Sequence, residues 1–199
     1  MSSASSANPW LPAAERPEPD RPRAGEEVRA RRWASGAEVR VRDGRALGTF
    51  GAPGGGLWVV GAHGGAGASV LAGLLGAEDA GVAWPVPGAG DEEVRVLVAA
   101  RTSAYGIEAA QDAAVQWASG VLEGVDLVGV VWVADAPGRL PRELRRLVAL
   151  VSGAFPMSVS VPWVGAWRTA AVVDAAAAPK DVRRALSRCR LPDERKSSP

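Results

Sequence analysis

From Ala46 to Ala77 the chain carries no Asp, Glu, Lys or Arg. A stretch that long without charge either crosses a membrane or lies at the centre of a fold. A spanning helix needs about 20 predominantly apolar residues, so length alone permits the first outcome. Glycine decides against it: Gly51, Gly54 to Gly56, Gly61, Gly64, Gly65, Gly67, Gly73 and Gly76 interrupt the run, Pro53 breaks it again, and His63 falls in its middle. At roughly 1 kcal/mol per glycine in a helix interior, a strand, a loop and a short helix accommodate these residues better than one continuous helix.

The segments that follow have the same grammar. "LWVVGA" is a short apolar run, "SVLAGLLGA" a short helix, "GVAWPVP" an edge strand stopped by prolines, and "VRVLVAA" a second buried strand. In "SAYGIEAAQDAAVQWASGVLEG", Ile107, Ala110, Ala114, Trp117, Val121 and Leu122 share one helical face, with Glu108, Asp112 and Glu123 elsewhere. "DLVGVVWVAD" is a third buried strand, and "LPRELRRLVALVSG" a helix with Leu140, Leu144, Leu147, Val148 and Val151 inward. "MSVSVPWV" supplies a last strand. Strands separated by helices imply an α/β fold of three layers, a mostly parallel sheet of about five strands with helices on both faces. Ligands in such folds bind beyond the carboxyl ends of the strands.

The ends read differently. Residues 1–36 are Ser-, Pro- and Arg-rich with little to bury, the composition of a disordered tail. Residues 37–56 alternate apolar and charged positions around Asp43-Gly44 and end in "GAPGGG", which suits an edge hairpin or a solvated linker. The α/β domain is expected over 57–191, and 192–199 form a polar stub. Near its end, "PKDVRRALSRCR" places Val182, Ala185, Leu186 and Cys189 on one side of a helix and Arg183, Arg184, Arg188 and Arg190 around it.

A net charge of +1 gives no chain-wide attraction to nucleic acid or anionic lipid. One cysteine, Cys189, and one histidine, His63, make neither a disulfide nor a zinc set. The start of the chain lacks a basic segment followed by an apolar one, so a cytoplasmic location is expected.

The strand, "AHGGAGAS" and the helix together resemble the deviant Walker A loop of the MinD/ParA class of P-loop ATPases, X-K-G-G-X-G-K-[ST], with six of eight positions satisfied. "GAHGGAG", "ADAPGRLP" and "VPWVGAWR" more closely resemble an actinobacterial family carried on conjugative plasmids and integrated elements. The resemblance covers roughly Leu57 to Arg168 and brings no activity with it. It implies a Rossmann-like P-loop fold, a nucleotide site at His63, Gly64, Gly65, Ala66, Gly67, Ala68, Ser69 and Asp135, and ATP with Mg²⁺ held by Ser69 and Asp135 if nucleotide binds.

The two failing positions are both lysines: His63 stands at one and Ala68 at the other. A P-loop surrounds phosphate oxygens with backbone N–H groups, while its lysine bridges the β- and γ-phosphates. Gly64, Gly65 and Gly67 preserve the backbone part. Losing two charged hydrogen bonds, each worth about 1.5–3 kcal/mol, costs roughly two to four decades in affinity or rate. The chain has no lysine before Lys180, so replacement would fall to an arginine such as Arg101, Arg139 or Arg168. The plain alternative is a glycine-rich turn kept for packing. Asp135 likewise reads as a Walker B-like carboxylate or as the residue that opens the turn before Pro137-Gly138. "VRVLVAA" ends in Ala99-Ala100-Arg101 with no acid, which further weakens an ATPase assignment.

Eight tryptophans divide by context. Trp58, Trp117 and Trp132 fall on core faces. Trp84, Trp163 and Trp167 flank prolines or loop residues and suit a surface, and Trp163, Trp167 and Arg168 suit partner binding, base stacking or lid packing. Trp10 and Leu11 in "NPWLP" have no core to serve and suit docking to a protein partner. The expectation is a non-catalytic or weakly nucleotide-binding accessory protein of a mobile element's maintenance or transfer machinery, partnered with a motor ATPase. The alternative is a dimerising Mg-ATP-dependent ATPase; a nucleic-acid partner is not favoured.

Overall fold

The uncharged run divides as its glycines require. In the structure, a computed structural model that describes residues 46–168, 173 and 177–189, it becomes β1 (Gly48–Ala52), β2 (Leu57–Gly61), a loop and α1 (Ala68–Leu75). The chain continues through β3 (Glu78–Asp79), β4 (Ala83–Pro87), β5 (Val94–Arg101), α2 (Ala104–Ala118), β6 (Val125–Val133), α3 (Arg142–Ser152), β7 (Ser158–Val161), a 3₁₀ turn (Gly165–Arg168) and α4 (Lys180–Leu186). Among the described residues no helix is long and apolar enough to cross a membrane.

The main sheet has the order β3-β2-β5-β6-β7 with every neighbouring pair parallel. Parallel neighbours need crossovers, and α1, α2 and α3 supply them. From β2 the chain moves one way to β3 and later the other way to β5 and β6. With right-handed crossovers that reversal puts α1 and α2 on opposite faces. Side-chain alternation agrees: Val60, Val96, Val98, Val130 and Trp132 pack with Ile107, Ala110 and Ala114 of α2. Val59, Leu97, Ala99, Val131 and Val159 pack with Leu71 and Ala72 of α1, with Val182 and Leu186 of α4, and with Cys189 in the turn that follows α4. Val182 and Leu186 are thus buried as the spacing predicts, Ala185 is partly buried, and Cys189 is buried from the turn beyond the helix rather than from the helix itself.

The alternation in β6 changes phase midway. Val125 and Leu127 face α2, but so do Val130 and Trp132, because a register shift opposite Val96/Leu97 inserts one extra residue. Gly129 makes the bulge feasible, since a Cβ there would stand 2.5 Å from the Met157 carbonyl oxygen.

Several details differ from the periodicity. "GVAWPVP" is not an edge of the main sheet; that place goes to Glu78–Asp79, while β4 pairs in parallel with β1, Gly48 opposite Ala83. Asp43-Gly44 and the rest of 37–45 lie outside the described residues, as do the tail at 1–36, with Trp10 and Leu11, and the stub at 192–199. Trp84 is no surface residue: it is fully buried, and its indole N–H donates to Gln116 Oε1 at 3.0 Å. Gln116 also accepts from Leu47 N–H at 2.9 Å and donates Nε2 to the Leu47 carbonyl at 2.8 Å, fastening the entry into β1 onto α2.

Asp112 proves buried rather than solvent-facing, because the segment entering β1 covers that side of α2. α2 ends at Ala118, so Val121 is 48% exposed. In α3 only Val151 is buried, and Leu147 remains 44% exposed because the helix packs chiefly against α2.

Candidate functional site

β2 is the topological switch point of the sheet: its two neighbours, β3 and β5, are reached in opposite directions. Loops leaving the carboxyl ends of β2 and β5 therefore diverge to opposite faces and leave a crevice, the usual ligand position in open α/β sheets. The glycine-rich loop occupies this place. Gly61 N–H donates to the Gly81 carbonyl at 2.7 Å and Ala62 N–H to the Ala99 carbonyl at 2.8 Å, tying the loop's entry to both sides. Ala66 N–H donates to the His63 carbonyl at 3.2 Å, which closes the turn. Gly67, at φ 99°, then directs the chain into α1, a left-handed conformation that a side chain would strain. No side chain caps α1.

His63 and Arg101 hold this loop to β5. His63 is buried, and its Nδ1–H donates to the Gly64 carbonyl at 2.9 Å. Its Nε2 accepts the backbone N–H of Arg101 at 3.2 Å. Those partners select the neutral ring protonated at Nδ1. The side chain of Arg101 crosses back over the loop: Nε donates to the Gly65 carbonyl at 3.1 Å and Nη1 to the Ala134 carbonyl at 3.0 Å. Arginine's planar fork suits such two-point contact, which a single ammonium could not make in the same way. Sequence reasoning named Arg101 only as a substitute cation; its position at a strand's carboxyl end was the available signal for a contact with the neighbouring loops.

The remaining expected residues fall on two sides of the loop. Gly67, Arg101, Trp163 and Trp167 line a cleft of about 70 Å³, together with Val133 and Ala134 at the end of β6. Sites for drug-sized ligands are typically about 300–1,000 Å³, so a whole nucleotide would require this cleft to widen. Gly64, Gly65 and Ser69 are exposed, whereas Ala66 and Ala68 are buried. Ala68 lies in the cluster with Val59, Leu71 and Val133. Asp135 is exposed, and its backbone N–H donates to Thr102 Oγ1 at 3.2 Å. Its strand is two places from β2, roughly 10 Å at ordinary interstrand spacing, so Ser69 and Asp135 leave from strands separated by β5. Trp163 and Trp167 are half-buried; Arg168 closes the 3₁₀ turn, and its side chain lies outside the described residues.

A second cleft of about 320 Å³ opens on the α2 side of the loop. Leu47, Ala62, His63, Val82, Tyr105 and Asp112 contribute to its wall. The rings of His63 and Tyr105 meet edge to face with centroids 5.4 Å apart. Sequence reading missed Tyr105 and Asp112: Tyr105 stays 61% exposed at the rim of this cleft, while Asp112 is buried, and nothing local to its helix reveals that burial.

Burial pushes the thiol of Cys189 above its ordinary range, with nearby Arg188 opposing in part. Among the described residues no group of three or more His, Cys, Asp or Glu side chains could hold a metal ion. No curated protein and no solved structure matches this chain. Residues 55–186 match the model of a family of unknown function (DUF6668). That match spans about two thirds of the sequence, and the chain belongs to this family.

Proposed function

We propose that this protein is a degenerate P-loop domain of the MinD/ParA type that serves as an accessory or interaction module and binds nucleotide weakly or not at all. The observation that carries this reading is the Arg101 guanidinium bridging the Gly65 and Ala134 carbonyls across the loop. This cation beside the loop is engaged in holding the loop to the end of β6. The narrow cleft beside α1 and the buried, hydrogen-bonded His63 support it further. A cation that grips phosphate must be able to reach the anion; His63 instead accepts a backbone N–H in its neutral form.

In this reading the glycine loop is an internal strut that fixes the carboxyl edge of the sheet, where Trp163 and Trp167 form a contact surface for a protein partner. Service to a mobile element's maintenance or transfer machinery, in the cytoplasm and beside a motor ATPase, follows from the motif resemblance.

Thermal unfolding with Mg-ATP tests it, because ligand stabilisation follows the ratio of ligand to its dissociation constant. Millimolar Mg-ATP should barely raise Tm, and a rise of several degrees at about 10 μM would refute the reading. Arg101→Met separates the two roles of that arginine. A strut leaves any residual ATP response no weaker than in the wild type. A phosphate ligand loses that response, which would favour the dimerising ATPase.

A further inference from the structure

α3 returns the chain from β6 to β7, a crossover in the same direction as the one from β5 to β6, so it lies on the face that α2 covers. The cleft lined by Trp163 and Trp167 is on the other face, beside α1. Only one side of α3 is held down: Val151 is buried and Leu144 and Val148 are half-buried against the core that α2 shares, while Leu147 and Leu150 are 44% and 74% exposed. We infer that this outer flank of α3 is a docking surface for an acidic amphipathic helix of a partner protein, with its carboxylates on the α3 arginines and its apolar side chains on Leu147 and Leu150. This inference does not rest on the P-loop reading.

Helix geometry assembles the surface. Leu147 and Leu150 stand three residues apart and are therefore neighbours on the helix. Arg142, Arg146 and Leu150 follow at steps of four, so they form one ridge. Two guanidinium groups thus lead into the most exposed large apolar side chain among the described residues.

Charge selects the occupant. Arg139, Arg142, Arg145 and Arg146 are all exposed, and Glu143 is the single acid between the first and the last of them. In a chain with a net charge of only +1, this is a local excess of positive charge, and its complement is acidic. A second copy of the same face would bring these arginines against one another, which opposes a two-fold dimer over α3. A bilayer fits less well than a helix. An interfacial helix submerges its whole apolar side, but that side of α3 is turned against the core, and Glu143 stands one turn before Leu147 on the flank that would enter lipid. A partner helix needs only the ridge and the groove beside it, with carboxylates meeting the arginines at the rim.

The test uses the full chain and, as probe, a synthetic peptide of about 20 residues, long enough to form a helix, with Glu and Leu repeating at helical spacing. The same peptide with Lys in place of Glu is the control. Fluorescence anisotropy should show binding of the acidic peptide and none of the basic one. Leu147→Ala combined with Leu150→Ala should weaken binding about tenfold to a hundredfold, mostly through faster dissociation, as loss of central apolar anchors does. Arg142→Gln combined with Arg146→Gln should instead slow association and remove most of its salt dependence. All four side chains are exposed, so both double variants should melt close to the wild type, which separates lost docking from lost folding. Failure of the acidic peptide to bind, equal binding of both peptides, or unchanged binding by the folded double variants overturns the inference. Recruitment of the wild type to phosphatidylserine vesicles that is lost in the leucine variant would assign the face to a membrane. A concentration-dependent dimer lost in the same variant would assign it to a second copy, and either of these outcomes also overturns the inference.

Discussion

Replacing Arg101 by Met removes the guanidinium while keeping most of the stem's bulk, and so isolates what the bridge contributes. Two donors are lost, the 3.1 Å bond to Gly65 and the 3.0 Å bond to Ala134. Bonds from charged donors are worth about 1.5–3 kcal/mol each, but Arg101 is half-exposed and water competes for both carbonyls, so about 2 kcal/mol in total is the working figure. For a chain of this length each kcal/mol moves Tm by about 2–4 °C, which gives a fall of about 4–8 °C. The loss should also be local. Hydrogen exchange at the amides of 63–67 should accelerate roughly thirtyfold, the equivalent of 2 kcal/mol in an opening equilibrium, while amides in β5 and β6 slow or quicken only with global stability. Arg101→Lys keeps the charge but reaches one carbonyl at a time, so an intermediate loss is expected. If Arg101→Met melts within a degree of wild type and leaves loop exchange unchanged, the bridge holds nothing and the strut reading fails.

Two further outcomes follow from buried polar groups. Gln116→Leu strands Leu47 N–H, the Leu47 carbonyl and the Trp84 indole N–H at once; a loss of about 3 kcal/mol is expected by denaturant unfolding, and exchange at Leu47 should rise most. The raised thiol of Cys189 means that the folded state holds this proton more tightly than the unfolded chain. Its contribution to stability is therefore complete below the unfolded thiol's value, about 8.5, and declines as pH rises through that value toward the folded one. Cys189→Ala should flatten this alkaline decline in a pH series of unfolding curves, and a thiol reagent should label the native wild type only as it unfolds.

Sheet and helices were legible in the sequence because each buried strand is an apolar run bounded by glycine, proline or charge. "LWVVG" and "VRVLVAAR" are flanked in that way and fall where β2 and β5 lie. The bulge in β6 was not legible. Asp126 marks Val125 and Leu127 as one face, but "LVGVVWV" after it is apolar throughout, so the sequence does not show that Val130 and Trp132 return to that same face; Gly129, closely approached by Met157, lets the strand bulge there. The polar residues of α2 misled for a related reason. Asp112 and Gln116 sit one turn apart, a spacing that reads as a solvated stripe until Leu47, sixty-nine residues before Gln116, lies across it. Periodicity reports on one element and its own sheet, whereas a covering strand from elsewhere in the chain leaves no trace in it.

The same distinction explains why the loop was readable as a motif while its wiring was not. The glycines are local requirements, and Gly67 meets one at φ 99°. The roles of His63 and Arg101 are set by each other: one imidazole nitrogen accepts the arginine's amide, and the arginine's side chain reaches the carbonyl two residues past that histidine. A lysine at position 63 has three donors and no acceptor, so it could not receive the Arg101 amide. A lysine at position 68 would begin among Val59, Leu71 and Val133, with its stem directed by a packed helix face. Replacing His63 with Lys breaks an existing bond, whereas replacing Ala68 with Lys adds a cation to a loop that keeps its present bonds. The second substitution is thus the one that asks whether the backbone geometry alone still suits phosphate. If Ala68→Lys leaves ATP binding unchanged while Tm stays near that of the wild type, the loop has been rebuilt around His63 and Arg101, and lost charge is insufficient to explain its weak response.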